Sequence, residues 1–181
     1  MASLLDALFR VVAVLEAEAV AYALAGGMAA NLYRKEIRAT EDVDLSIKVR
    51  RVELAALVDK FLTDGWQVEQ SWKNFEQLRL RHPHLAQVDC LLAGTEFEES
   101  AIKRADTVDV AGHELRVLRP EDLIVMKLIA GRARDYDAVG AIINDLGEQL
   151  DTGYITGWLE QFEIGSRWAQ ALEEAKHYSR E

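Results

Sequence analysis

Residues 42–47 read Asp-Val-Asp-Leu-Ser-Ile, so polar and apolar side chains alternate along the segment. Because successive side chains of a strand point to opposite faces, this alternation predicts a strand with one apolar and one polar face. Val43, Leu45 and Ile47 are then expected in the core of a sheet. Asp42 and Asp44 are expected to leave the other face together, about 6–7 Å apart at Cα. The chain must therefore fold around a sheet that carries paired carboxylates.

Similar patterns elsewhere predict an α+β (mixed α/β) fold, a small mixed sheet flanked by helices. Strands are predicted at residues 22–25, 43–47, 66–69, 75–82, 86–92, 107–110 and 114–118. Helices are predicted at residues 3–18, 28–35, 52–62, 120–130, 134–146, 154–162 and 168–178. Because no strand is predicted after residue 118, we expect a core domain at residues 1–118 and a helical C-terminal region at residues 119–181, packed on the core.

Composition excludes several classes of function. The formal charge of −10 over 181 residues argues against a broad nucleic-acid surface, which needs many paired phosphates. The longest apolar run, residues 19–30, is shorter than the roughly 20 residues of a membrane span. Asp6 and Arg10 interrupt the N-terminal apolar segment, which favours an amphipathic helix over a signal sequence. The single cysteine, Cys90, allows no intrachain disulfide, so a cytoplasmic protein without a membrane partner is expected.

Two further features accompany the paired carboxylates. Asp89 lies within the apolar run 86–92, where a solvated charge is unexpected. Gly26 and Gly27 end a predicted strand and open a helix, where backbone N–H groups can cradle a phosphate. Sulfur-free carboxylate sites favour Mg²⁺. Taken singly, the aspartate pair is better explained as a polar strand face and the glycine pair as an ordinary turn, but together they favour a site for a metal and a nucleotide.

These motifs together resemble the polymerase-beta-like nucleotidyltransferase superfamily, and most closely its small bacterial members. Those members are the minimal and abortive-infection-toxin-like nucleotidyltransferases. The resemblance rests on Gly-Gly before a helix, on RATEDVDLSI at 38–47, on QVDCLLAG at 87–94 and on DLIVMKLIAGRARD at 122–135. It covers residues 20–145 or so and implies a nucleotidyltransferase fold.

The resemblance also implies an enzyme with a particular site. Asp42 and Asp44 would bind two divalent metals, Mg²⁺ or alternatively Mn²⁺, about 3.5–4 Å apart. Asp89 would complete the metal site and help to activate the acceptor hydroxyl. The residues that would contact the triphosphate are Gly26, Gly27, Arg38 and Thr40. The implied reaction is in-line attack on the α-phosphorus of a nucleoside triphosphate, with release of pyrophosphate.

Lys127 is the one charge in the otherwise apolar segment 123–130. A charge on such a helix must either extend to solvent or meet a counter-ion. The resemblance implies that the counter-ion is the triphosphate; a lysine extending to solvent is the alternative.

The sequence departs from those relatives near Asp135, because Ala138 stands where they place a second aspartate. Asp137 is one position away, which is about 100° around a helix, so the roles of Asp135 and Asp137 stay open. For His82 and His84 an exposed turn is favoured over metal ligation, and for Cys90 a buried thiol is favoured.

The function expected is transfer of a nucleoside monophosphate to a hydroxyl of an RNA end, a protein or a small molecule. Toxin-like action on RNA ends is one version of this function. The alternatives are a nucleotide-binding regulatory protein without turnover and a subunit that depends on a partner. The partner would be a second copy, giving a homodimer, or an antitoxin-like protein.

Overall fold

The chain is described by a computed structural model that covers residues 2–71 and 76–178. The helices are α1 (Ala2–Ala17), α2 (Gly26–Asn31), α3 (Leu54–Thr63), α4 (Glu96–Arg104), α5 (Pro120–Ala130), α6 (Ala133–Leu146), α7 (Thr152–Gln161) and α8 (Ser166–Tyr178). The strands are β1 (Ala21–Leu24), β2 (Asp42–Lys48), β3 (Gln67–Ser71), β4 (Gln77–His82), β5 (Leu85–Leu92), β6 (Asp106–Val110) and β7 (His113–Val117). The predicted α+β fold with a mixed sheet is confirmed.

The strands form one sheet in the order β3-β4-β5-β2-β1-β7-β6. At its centre, β2 is parallel to β5 and antiparallel to β1. The apolar face of β2 is fully buried, with Val43, Leu45 and Ile47 all at 0% exposure. Helix α1 packs against β5 and β2, and α4 packs against β2 and β1. The alternation of residues 42–47 therefore places β2 in the core and leaves its carboxylates on the opposite face.

Two helices differ from the sequence prediction. The helix expected at 28–35 instead begins at Gly26 and ends at Asn31. It ends there because the Asn31 side chain accepts from the backbone N–H of Arg38 (3.1 Å) and donates to its carbonyl (2.9 Å), which closes a loop. Helix α4 was not predicted at all, although Thr95 and Glu98 form a complete capping box at its start. Phe75, the first residue of the strand predicted at 75–82, lies outside the described residues.

The chain divides into two compact units. The first comprises Met1–Met28 and Ala39–Leu118 and contains the sheet with α1, α3 and α4. The second comprises Ala29–Arg38 and Arg119–Glu181 and contains α5 to α8. Segment Ala29–Arg38 thus groups with the C-terminal helices, which the sequence did not predict. The division into a core at 1–118 and a helical region at 119–181 as functional domains remains a proposal.

Within the second unit, buried acidic side chains join the helices. Tyr154 on α7 donates its hydroxyl to Asp122 on α5 at 2.6 Å, and Glu121 accepts the backbone N–H of Asp151 at 3.1 Å. These contacts give each buried carboxylate a hydrogen-bond donor, which offsets part of the cost of burying it. Across the described ranges 2–71 and 76–178, no helix combines the length and apolar character needed to cross a membrane.

Candidate active site

The paired carboxylates stand at the start of β2, on its polar face. Asp42 is the first residue of the strand, and both Asp42 and Asp44 are half-buried. Thr40 donates its hydroxyl to the backbone carbonyl of Asp42 at 3.2 Å, with the Asp42 carboxylate at 3.5 Å. This contact fixes the approach to the strand, so that the two carboxylates leave β2 side by side.

Asp89 lies beside Asp44 in the sheet. The parallel register of β2 and β5 pairs Asp44 with Asp89, and Asp89 is buried with only 7% of its surface exposed. Both of its oxygens accept from Arg79 on β4, at 2.8 Å from Nε and 2.9 Å from Nη2. Gln87 donates to the same carboxylate at 3.3–3.4 Å. The structure therefore brings the three predicted aspartates together and adds a basic partner to the third.

The glycine pair is held tightly against this carboxylate face. Gly26 has a φ of +63°, and a Cβ added there would lie 1.8 Å from Oδ2 of Asp44. A Cβ on Gly27 would lie 2.9 Å from the hydroxyl of Thr40. Ala25 donates its backbone N–H to the carbonyl of Asp44 at 2.9 Å. Position 26 therefore requires glycine, because a residue with a Cβ rarely adopts this backbone conformation and its Cβ would overlap Asp44.

The donor set suits a hard cation. Asp42 and Asp44 supply carboxylate oxygens, which is the ligand type that Mg²⁺ and Mn²⁺ take. Among residues 2–71 and 76–178, however, no group of three or more Asp, Glu, His or Cys side chains is placed to hold a metal ion. Asp89 is held in a two-pronged ion pair with Arg79. The residues present thus fit a cation on Asp42 and Asp44, with Asp89 adjacent.

Arg38, expected beside the triphosphate, belongs to the second unit. Its guanidinium pairs with the carboxylate of Asp137 and donates to the hydroxyl of Tyr178 at 2.6 Å. Asp135, by contrast, is buried and accepts from the backbone N–H (3.2 Å) and the guanidinium Nε (2.7 Å) of Arg132, which caps α6. Asp137 is therefore a partner of a predicted nucleotide-binding residue, whereas Asp135 stabilises a helix start.

Lys127 lies on α5 of the second unit and is half-buried. Its backbone carbonyl accepts the N–H of Gly131, which ends the helix in the left-handed conformation. Nothing in these contacts assigns the Lys127 ammonium group a ligand, so its contact with a triphosphate stays a prediction.

The minor candidates of the sequence have structural positions. Pro83 and His84 form the turn between β4 and β5, and the His82 ring lies 5.5 Å from that of Trp66. Cys90 is fully buried, and burial raises the pKa of its thiol. The expectation of a buried core thiol is confirmed.

Arg79 is the functional candidate that sequence reasoning missed. Residues 77–82 alternate polar and apolar side chains, which places Arg79 and Arg81 on one face of β4. That pattern alone does not reveal that β4 pairs with β5 in a register that puts Arg79 opposite Asp89. The hydrogen bonds to Asp89 raise the pKa of the Arg79 guanidinium.

Comparison with known proteins gives the class that this fold and site define. The family model described as "Nucleotidyl transferase of unknown function (DUF2204)" matches residues 4–164. No sequence among the curated proteins matches the chain.

Solved nucleotidyltransferases share the fold. The lincosamide antibiotic adenylyltransferase LnuA, bound to lincomycin, is 15% identical with a TM-score of 0.53, over 75% of this chain and 93% of LnuA. ANT(2'')-Ia in complex with adenylyl-2''-tobramycin is 18% identical with a TM-score of 0.58, over 87% of this chain and 97% of that one. An H. pylori protein assigned to the nucleotidyltransferases is 15% identical with a TM-score of 0.50, over 92% and 80% of the two chains.

The chain belongs to the family of nucleotidyl transferases of unknown function, because the family model spans most of its length. The resemblance to nucleotidyltransferases and the expectation of an enzyme are thereby confirmed.

Proposed function

We propose that this enzyme transfers a nucleoside monophosphate from a nucleoside triphosphate to a hydroxyl acceptor, with Asp42 and Asp44 holding one or two divalent metal ions, Mg²⁺ or Mn²⁺. The observation that carries the proposal is the contact of Gly26 with Asp44. It places a side-chain-free backbone against a carboxylate face, where a triphosphate and a cation can meet.

Each residue has a part that follows from its position. Asp42 and Asp44 supply oxygen ligands, and Gly26 and Gly27 bring backbone without a side chain close to Asp44 and Thr40. When bound, the metal stabilises charge on the attacking and leaving oxygens. Asp89 is placed to accept the proton of the acceptor hydroxyl once its bonds to Arg79 loosen. A bond forms between the acceptor oxygen and the α-phosphorus, and the bond from that phosphorus to pyrophosphate breaks.

The acceptor favoured is a compact hydroxyl compound. A net charge of −10 opposes a long polyanion, whereas a small molecule or a single nucleic-acid end meets little of this repulsion. LnuA is bound to lincomycin and ANT(2'')-Ia to an adenylylated tobramycin, which are compact ligands of those proteins. Toxin-like transfer to an RNA end, with an antitoxin-like partner or as a homodimer, is the version that the charge disfavours.

A specific observation also supports a second function, nucleotide binding without turnover. Both oxygens of Asp89 are bonded to Arg79, so a third metal ligand is withheld in this state. A regulatory protein that keeps the site but lacks transfer would bind nucleotide and Mg²⁺ and release no pyrophosphate.

The test is transfer of label from each α-labelled nucleoside triphosphate in the presence of Mg²⁺, lysate metabolites and total RNA. Asp42→Asn combined with Asp44→Asn is expected to lower transfer at least about a hundredfold, because it removes metal ligands. The matched control is Asp6→Asn combined with Asp59→Asn, which makes the same charge change at exposed helical positions.

The two functions give different results in this assay. Transfer that is lost only in the site variant supports the enzyme, and the labelled product identifies the acceptor. Binding of nucleotide with Mg²⁺ but no pyrophosphate release supports the regulatory protein. If the site variant binds and transfers as well as the control, the assignment of Asp42 and Asp44 is wrong.

A further inference from the structure

The registers of four adjacent strands align one row of charged side chains. Asp44 on β2 pairs with Asp89 on β5, Asp89 pairs with Arg79 on β4, and Arg79 pairs with Glu69 on β3. Residues directly opposite one another share a face, with strands about 4.8 Å apart. The row thus reads acidic, acidic, basic, acidic from β2 outwards.

Within this row, Arg79 bonds to only one of its two acidic neighbours. Its guanidinium makes a two-pronged ion pair with Asp89, whose side chain is 10% exposed. Glu69 instead pairs with Arg81, the next basic residue on the same face of β4. Arg79 is therefore the counter-ion that balances Asp89, a buried carboxylate next to Asp44.

The Arg79–Asp89 ion pair has opposite effects before and after a cation binds. Two adjacent carboxylates repel one another, and the two-pronged ion pair of Arg79 offsets that repulsion while fixing the rotamer of Asp89. When a divalent cation binds at Asp44, the Arg79 guanidinium still donates to both oxygens of Asp89 and adds a positive charge nearby. Asp89 then shares its carboxylate between Arg79 and the cation, and the positive charge of Arg79 opposes the approach of that cation.

We propose that Arg79 is a positioning residue that holds Asp89 until a metal ion arrives and competes with that ion for the Asp89 carboxylate. This inference rests on the proposed function, since it requires a cation on Asp42 and Asp44. Arg79 thereby lowers the affinity of the nucleotide-free chain for metal.

The experiment measures Mn²⁺ affinity of the full-length chain without nucleotide, from the electron paramagnetic resonance signal of free Mn²⁺. Arg79→Gln is expected to bind Mn²⁺ on the order of tenfold more tightly than the wild type, because a repelling charge is lost and Asp89 is released. Arg79→Lys keeps the charge but loses the two-pronged geometry of the guanidinium, so its affinity for Mn²⁺ should lie between those of the wild type and Arg79→Gln. Arg81→Gln removes the same charge two residues along β4 and is expected to stay within about twofold of the wild type.

A purely structural role for Arg79 gives the opposite sign, because a damaged site binds metal more weakly. Tighter binding by Arg79→Gln than by Arg81→Gln supports the proposal, and so does tighter binding by Arg79→Lys if the glutamine variant fails to fold. Equal affinities of all three variants, or weaker binding by both Arg79 variants, overturn it.

The double variant Asp42→Asn and Asp44→Asn separates this inference from the proposed function. If that variant binds Mn²⁺ as well as the wild type, the proposed metal site is wrong and the proposed role of Arg79 is overturned too. If Mn²⁺ binding requires Asp42 and Asp44 but is indifferent to Arg79, only the role of Arg79 is overturned.

Discussion

At the scale of single residues, Gly26 shows how closely the backbone approaches a carboxylate in this enzyme. Its φ of +63° is a conformation that residues with a Cβ rarely adopt, and the space a Cβ needs is filled by Asp44. Two independent constraints therefore act at one position, and a substitution there has to displace Asp44.

We expect Gly26→Ala to lower transferase activity at least about a hundredfold and the unfolding free energy by about 1–2 kcal/mol. The control is Gly94→Ala, since a Cβ at Gly94 meets no atom within 4 Å. Activity assays and urea denaturation of both variants check the prediction. A fully active Gly26→Ala would mean that the position of Asp44 is unimportant for the chemistry.

Tyr22 provides a pH-dependent prediction. Burial, followed by a hydrogen bond from its hydroxyl to Glu16 at 3.0 Å, raises the pKa of Tyr22 from 10.0 to about 12. A group with a raised folded pKa stabilises the fold fully below its unfolded pKa, so this contribution is lost as pH rises from 10 to about 12.

Tyrosinate absorbance of the wild type minus that of Tyr22→Phe should thus show ionisation near pH 12. The unfolding free energy of the wild type should fall more steeply than that of the variant over the same range. Ionisation of Tyr22 at the pH of an exposed tyrosine would contradict the buried environment.

The sequence predicts part of this site well. Alternation in residues 42–47 is sufficient to place Asp42 and Asp44 on one face, because a strand has only two faces. Asp89 could also be predicted as a site residue, because its charge lies within an apolar run. Arg79 could not be assigned, because its partner depends on which strands pair and in what register, and neither is encoded in β4 alone.

At the scale of elements, α4 and α2 show where periodicity fails. The α4 sequence, Glu-Phe-Glu-Glu-Ser-Ala-Ile-Lys-Arg, has only three buried residues, so its apolar stripe is thin. Its start is specified by the capping box of Thr95 and Glu98 and its ends by acidic and basic residues that suit the helix dipole. The end of α2 depends on the Asn31 side chain, a contact with a residue seven positions away.

If the capping box determines α4, Thr95→Ala should lower the unfolding free energy by about 1 kcal/mol. Thr63→Ala is the matched control, because the Thr63 hydroxyl donates to Asp59 from an exposed position and its loss should cost less than about 0.5 kcal/mol. Urea denaturation followed by circular dichroism compares the two. Equal losses would show that α4 is stabilised by its packing on β1 and β2 and not by its cap.

At the scale of the whole molecule, net charge bears on the proposed acceptor. The chain carries 31 acidic and 21 basic side chains, which gives the formal charge of −10. Local basic groups such as Arg50 and Arg51 are exposed and could meet a compact anion, but the overall field opposes a long one.

We accordingly expect single-stranded RNA to bind with a Kd weaker than about 0.1 mM at physiological salt, which is the weak end of the range of nonspecific binding. Fluorescence anisotropy of a labelled RNA measures this, with a labelled nucleoside triphosphate in Mg²⁺ as the comparison. Tight RNA binding with a steep salt dependence would instead favour an RNA end as the acceptor.

The division of the chain also limits how this enzyme can diversify. Segment Ala29–Arg38 stands in sequence between the glycine pair and the carboxylate strand, yet it shares a unit with Arg119–Glu181. Within that unit Arg38 pairs with Asp137, and the backbone N–H of Lys35 donates to Asp145 at 2.7 Å. A gene fusion that exchanged only the C-terminal helices would leave Arg38 and Lys35 without the carboxylates that they contact. The helical part is therefore not expected to be exchangeable without the loop at residues 29–38, whose contacts with Asp137 and Asp145 join residues 99 and 110 positions apart.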